Sequence, residues 1–303
     1  MRVAPILLTS LIFVAACNPA RQQSFWNSPH ACLDQPPPGD TPQRFAPKLL
    51  TDSGYFVLGR VAFTPDGKEF FYGNNDAWFS NRHQRLSYFR YDSASASWKG
   101  PTILAPQYST PTFAMDGETL LVTGGPGIQR MHRTNGGWST PEPWLDRSYE
   151  LYNYMPTQSG RAYLGSNGTW GRPGDYNAWR FAVMPADPRD TSIRDLGQPL
   201  NSAGFNGDLY VAPDESYMIV SAKETKDFEC ELWISFRKPD SSWSQPQSLG
   251  PLINEGPAHR FGQYVSPDGK YLFYTKGTSE KDCGIYWVRW DDLLKKLRAL
   301  AGL

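Results

Sequence analysis

The chain is short of histidine and cysteine, four of each in 303 residues, and it has no surplus of charge, with 30 Lys plus Arg against 30 Asp plus Glu. A phosphate-backbone partner demands a basic excess or stripe, so nucleic acid is excluded as an expected ligand. His30, His83, His132 and His259 fall at no metal-ligand spacing, which argues against a zinc site. A Gly-x-Ser-x-Gly elbow, a His-Glu-x-x-His helix and a phosphate loop are all missing. Gly124-Gly125-Pro126-Gly127 is followed by no helical pattern and reads as a turn, so no cofactor is implied. Long apolar runs are missing too, apart from Ala4 to Ala16, which falls short of the roughly 20 residues a bilayer-crossing helix needs.

What is present points to a globular all-β chain. Hydrophobic residues make up 40% and aromatics 14%, ample for a buried core. With 27 Gly and 26 Pro, the composition favours many short strands joined by tight turns. At the N-terminus, Met1-Arg2 and the apolar run read as a secretory signal. The run ends in Val14-Ala15-Ala16-Cys17, which resembles the bacterial lipoprotein processing box. That resemblance implies a signal peptide over 1–16 and lipid modification of Cys17, several acyl chains giving lasting anchorage where one holds only marginally. Asn18, unlike an aspartate there, does not signal retention in the inner membrane, so the expected location is the outer membrane, facing the periplasm. An ordinary cleaved signal with an incidental cysteine is the alternative. Residues 17–44, with Pro36-Pro37-Pro38-Gly39-Asp40, read as a lipidated tether, and 45–303 as one domain.

Internal repetition is the strongest signal in the sequence. Five segments align: Val61–Tyr72, Pro111–Val122, Asn153–Leu164, Leu209–Val220 and Gln263–Tyr274. Aligning Gly67, Gly117, Gly160, Glu215 and Gly269 gives spacings of 50, 43, 55 and 54 residues, a period that suits propeller blades. Each copy has an apolar run, a Pro-Asp-Gly type tetrad and a second apolar run. In such a tetrad Pro fixes φ, Asp bonds its own backbone and Gly accepts positive φ at the corner of a hairpin. The near-continuous apolar runs fit strands covered on both faces. Outer-strand signals follow, such as Leu86–Tyr91 with Trp98 and Glu231–Phe236 with Trp243, so each repeat supplies a four-stranded blade that needs neighbours on both sides. The last copy, ending in Ile285–Trp290, has no fourth strand of its own, and Phe45–Thr51 is expected to supply it and close the ring. The fold class is therefore an all-β, five-bladed β-propeller closed by an N-terminal strand, with a sixth, degenerate blade within 146–202 as the alternative. Asp291-Asp292 is expected to cap a helix over 291–303 with Leu293, Leu294, Leu297 and Leu300 on one docked face.

Val265–Tyr274 resembles the WD40-like repeat of TolB-type propellers, and the likeness spans residues 36–298. Pro37-Pro38-Gly39 with Phe45-Ala46-Pro47, Leu232–Arg237 and Ile285–Val288 are similar to exported bacterial propeller lipoproteins, most without assigned activity. TolB's extra N-terminal domain is not expected, nor its specific role, and Gln158-Ser159-Gly160 replaces Pro-Asp-Gly in the third repeat. Only 13 residues follow Trp290, so an appended peptidase domain is not expected.

In a propeller, the loops leading into the innermost strands and those joining second to third strands surround one mouth of the channel. Here they carry Asn75, Asp76, Tyr152, Asn153, Asn206, Asp208, His259 and Arg260, a set of amides, charges and rings suited to a protein segment or a glycan. The leading expectation is a monomeric, non-catalytic envelope lipoprotein binding such a ligand, with a scaffold subunit of an envelope complex as one alternative. The other is a carbohydrate-active hydrolase using Asp76, Glu150 and Asp208, one acid from each of three blades. Of the remaining cysteines, Cys230 and Cys283 occupy equivalent places in adjacent blades and are expected to form a disulfide, with a bond from Cys32 to either as the competitor.

Overall fold

All five tetrads fold as the same tight turn. The turn residue donates its N–H three residues back in each copy: Gly67 to Thr64 at 2.8 Å, Gly117 to Ala114 at 3.0 Å, Gly160 to Thr157 at 3.0 Å, Glu215 to Ala212 at 2.8 Å and Gly269 to Ser266 at 2.8 Å. Each of these residues has positive φ, including Glu215 at 60°, a conformation that costs a non-glycine residue about 1–2 kcal/mol. The third repeat therefore makes its turn without Pro-Asp-Gly.

The computed structural model describes residues 25–50, 54–78, 83–124, 127–172, 174–187, 189–202, 207–225, 227 and 229–303. Its first strand, β1 (Gln43–Arg44), belongs to the last blade. Blade 1 comprises β2 (Phe56–Val57), β3 (Ala62–Phe63), β4 (Glu69–Asn75), β5 (Arg85–Asp92) and β6 (Ser97–Pro106). Blade 2 comprises β7 (Ser109–Phe113), β8 (Thr119–Thr123), β9 (Ile128–Thr134), β10 (Gly137–Trp138) and β11 (Glu142–Leu145). Blade 3 holds β12 (Tyr152–Pro156), β13 (Ala162–Ser166), β14 (Arg180–Met184) and β15 (Arg194–Asp195). Blade 4 holds β16 (Leu209–Val211), β17 (Tyr217–Ala222), β18 (Glu231–Phe236) and β19 (Gln247–Ser248). Blade 5 holds β20 (His259–Val265), β21 (Tyr271–Gly277), β22 (Gly284–Arg289) and β1. The count is five, and residues 146–202 hold one blade. Strands β4, β13 and β17 are buried along their whole length, as their apolar runs require.

Ring closure involves a shorter segment than the sequence suggests. Gln43 pairs with Trp287 and Arg44 with Tyr286, and Phe45 donates its N–H to Ile285 at 2.8 Å. Ala46 then turns to φ 43° and accepts from Leu49 and Leu50, which ends the strand before 51. Phe45 is instead a core plug, with ring centroids 5.0–5.2 Å from Phe70, Phe273 and Trp287.

The seam between blades 3 and 4 carries a polar cluster at its turn end, beside an apolar core that includes Met155, Phe181, Val183, Leu209, Ile219 and Leu232. The buried Glu215 carboxylate accepts from Thr157 Oγ1 at 2.9 Å, Tyr163 OH at 2.7 Å and Arg161 Nη2 at 2.6 Å, and from the Ser159 hydroxyl.

The expected tether over 17–44 is corrected for its described part. Residues 25–35 dock on the face that carries the tetrads, the turn face. Trp26 donates to Pro65 O at 3.0 Å and lies over Gly67, where any Cβ would stand 2.8 Å from its ring. Trp98 donates to His30 O at 2.8 Å, Phe25 sits 4.7 Å from the Tyr91 ring, and Cys32 and Leu33 are buried. Among Pro-rich neighbours, these few apolar side chains are enough to hold the segment down.

The helix Asp291–Leu300 starts at Trp290, not at a capping aspartate, and places Asp291 and Asp292 in its first turn, where the helix dipole favours them. Leu297 is buried and Leu293 and Leu294 pack on the core of blades 3 to 5, but Leu300 is 78% exposed, so the docked face is one turn shorter than expected.

Candidate functional site

Each repeat kinks in or just before its innermost strand, seven or eight residues before its turn residue. Gly59, Thr110, Asn153, Gly207 and Gly262 all take positive φ there. The kinks bring the chain close to the axis: a Cβ on Gly262 would lie 2.4 Å from the Gly59 carbonyl carbon, so only glycine fits.

Arg60 fills the axis, 1% exposed. From blade 1 it donates to Thr112 Oγ1 in blade 2 at 2.8 Å, to Asn153 Oδ1 in blade 3 at 3.0 Å and to the Leu209 carbonyl in blade 4 at 2.8 Å. Burial lowers its pKa to about 10, against the opposing charge of Asp208, so it stays a cation near neutral pH. Asp208 is buried beside it and accepts from Tyr152 OH at 2.5 Å and from the Gly262 N–H at 2.7 Å in blade 5. Burial, then the Asp208 charge, pushes the Tyr152 phenol well above its ordinary range, so Tyr152 remains the donor. Gln263 donates to the Asp208 carbonyl at 3.0 Å. These bonds fix the amide orientations and leave Arg60 Nε, Asn153 Nδ2 and Gln263 Oε1 buried without a protein partner. Two donors and one acceptor around the axis suit a neutral group that both accepts and donates, such as a hydroxyl or a water.

The candidate residues thus divide. Tyr152, Asn153 and Asp208 meet at the axis, while Asn206 and Cys17 lie outside the described residues. Asn75 is buried and accepts from the Asp76 N–H at 2.9 Å, and Asp76 pairs with His83 at 2.5 Å on the rim. Glu150 accepts from the Gly174 N–H at 2.9 Å with one carboxylate oxygen and buries the other unpartnered. Among the described residues no hydrogen bond joins any two of Asp76, Glu150 and Asp208. The His259 ring sits 4.3 Å from Phe261 and 6.2 Å from Trp78.

Arg260 is a correction. It is 1% exposed, and its guanidinium donates to the carbonyls of Ile253, Cys230, Ala258, Glu255 and Gly256 at 2.6–3.3 Å. Five N–H groups meet five acceptors, so the side chain staples the approach to blade 5 and has no donor left for a ligand. The expected disulfide is corrected as well. Cys230 and Cys283 are buried free thiols, as is Cys32. Each of the equivalent pair faces the next blade round: Cys230 donates to Arg260 O at 3.0 Å and Cys283 to Val57 O at 3.2 Å, and burial pushes both pKa values up to about 12. Repeat symmetry sets the two thiols one blade apart and points them the same way round, which keeps them from meeting.

Sequence reasoning missed Arg60. The available signal was its register: it stands seven residues before Gly67, as Asn153 and Asp208 stand seven before their own turn residues. Two cavities of about 900 and 620 Å³ lie on the turn face, the larger between blades 1 and 2 and the smaller beside residues 26–37. The larger is lined by charges that pair among themselves, Glu69 with Arg133 and Arg90, and Glu118 with Arg133. Among the described residues no cluster of His, Cys, Asp or Glu could hold a metal ion, and no helix is long and apolar enough to cross a membrane.

No protein-family profile matches the chain, and neither does any curated protein. Similar solved structures include TolB from Acinetobacter baumannii, 14% identical over 76% of this chain and 54% of that one, with a TM-score of 0.41. Puromycin hydrolase is 15% identical over 75% of this chain, TM-score 0.41, and this chain spans only 34% of its length. An oligogalacturonate lyase from Vibrio parahaemolyticus is 11% identical over 78% of this chain and 67% of that one, TM-score 0.39. These are propeller neighbours of differing activity.

Proposed function

We propose that the protein is a non-catalytic binding propeller of the bacterial envelope, lipid-anchored at Cys17, whose channel face takes a protein segment or a glycan. The observation that carries the binding reading is the polar axis. Arg60, Asn153 and Gln263 each keep a buried hydrogen-bonding atom with no protein partner, and Asn153 lies next to Tyr152 at the channel-face end of blade 3. The non-catalytic part draws on the acids. Asp208 accepts at both oxygens and Asp76 is held by His83, so neither is poised as a free general base.

Soluble protein starting at Ser24, screened on a glycan array and used for pulldown from envelope extract, tests the reading. Retention of a glycan or of one stoichiometric protein, lost on Asn153→Ala, supports it. No retention of either class overturns it. One observation favours the hydrolase alternative: the unpartnered, buried Glu150 oxygen. Turnover of aryl-glycosides or peptidoglycan fragments that Glu150→Gln abolishes would replace binding with catalysis. Labelled palmitate incorporated by the wild type and absent from Cys17→Ser supports the anchor, and incorporation that survives the change refutes it.

A further inference from the structure

We infer that the docked N-terminal segment fixes the orientation of the disc, holding the turn face toward the lipid surface and opening the channel face away from it. The inference rests on the lipid anchor at Cys17. Its structural basis is the latch formed by residues 25–35, which starts on the turn face. Phe25 lies against Tyr91 and, with Lys68 Nζ 5.7 Å from its ring, beside the first tetrad. Trp26 is bonded to Pro65, Lys270 Nζ holds Asn27 Oδ1 at 2.6 Å in blade 5, and His30 is bonded to Trp98. These contacts span the seam between blades 1 and 5, so the point where the chain leaves the disc is set by packing and hydrogen bonds on both.

Chain length then limits the geometry. Eight links join Cys17 to Phe25, and eight links reach at most about 29 Å when fully extended. The blades are about 23 Å tall, judged from seven-residue inner strands such as β4. Turning the channel face to the lipid would require near-complete extension of those eight links along the side of the disc. Had residues 17–44 been a free tether, no such preference would follow. The binding partner is then one that approaches from the aqueous side, such as an extended polymer or a soluble or opposing protein, and not a neighbour embedded in the same leaflet.

The test uses full-length lipidated protein in phosphatidylethanolamine–phosphatidylglycerol vesicles carrying acceptor-labelled lipid. A donor dye goes on Met115→Cys, in the exposed turn of blade 2, or on Lys281→Cys, in the exposed channel-face loop of blade 5. The native thiols of the described chain are buried and stay unlabelled. Energy transfer is expected to be at least about twofold greater from position 115, since the two faces are about 23 Å apart. A Gly-Ser insert of about twelve residues after Ser24, raising the greatest reach to about 72 Å, should erase the difference. Equal transfer without the insert, in protein that carries acyl label at Cys17, overturns the orientation alone. Absence of acyl label overturns the anchor beneath it. Asp240→Cys and Lys223→Cys form a second pair on the same two faces, should either of the first variants fold poorly.

Discussion

Two seams of the ring both have an apolar core but differ in what is added to it. Between blades 5 and 1, Phe45, Phe70, Phe273 and Trp287 interlock as rings, with no buried carboxylate among them. Between blades 3 and 4, the Glu215 carboxylate collects donors from Thr157, Ser159, Arg161 and Tyr163. The apolar seam is the one where the chain must close on itself through only two paired residues, and non-directional burial tolerates small errors of register there. The polar seam joins consecutive blades whose register is already set, so directional bonds can be used.

The largest expected effect is at the apolar seam. Phe45→Ala should lower stability by about 3–5 kcal/mol in urea titration, with no dependence on pH. Arg60→Met comes next, at about 3 kcal/mol, because it leaves Asn153, Thr112 and the Asp208 side of the axis without their cation. Glu215→Gln should cost about 1–3 kcal/mol at neutral pH. If Glu215→Gln cost more than Phe45→Ala, the contrast between the seams would be wrong.

Titration sharpens the same contrast. Burial raises the Glu215 pKa, but bonds from Ser159, Tyr163 and Thr157 and the charge of Arg161 outweigh it and hold the carboxyl below its ordinary 4.5. A depressed folded value stabilises the native state above the unfolded value, and that contribution is lost as pH falls through the folded one. The stability gap between wild type and Glu215→Gln should therefore be full above about pH 5 and shrink in more acid solution, while the Phe45→Ala gap stays flat. The smallest effect separates backbone from side chain. Glu215→Gly restores the residue that the other four turns use and should be less destabilising than Glu215→Ala by about 1 kcal/mol, since only glycine takes φ 60° without strain.

The fold was legible because five turns need the same backbone at the same place, and Gly67, Gly117, Gly160 and Gly269 mark them. Glu215 could be aligned by position although its type breaks the pattern. The axis was half legible. Tyr152, Asn153 and Asp208 stood out as polar residues at inner-strand starts, but Arg60 was overlooked, since only its register seven residues before Gly67 separates it from a solvated arginine beside an apolar run. Arg260 failed in the opposite sense: it sits at a strand start like a ligand residue, yet four backbone carbonyls brought round by residues 253–258 and a fifth from Cys230 consume it. Docking of 25–35 was masked by the prolines that follow, because Trp26, Cys32 and Leu33 show no periodicity to betray a surface they cover.

The closing strand also sets an order of events in the life of the chain. Arg44 bonds Cys283, 239 positions away, so the amino-terminal strand must wait for nearly all of the polypeptide before it finds its partner. Pairings this distant are slow to form. A chain threaded out through a membrane from its amino end would thus stay unsealed until its last sheet emerged, and loss of the residues from Gly284 onward would leave a string of blades with both ends open.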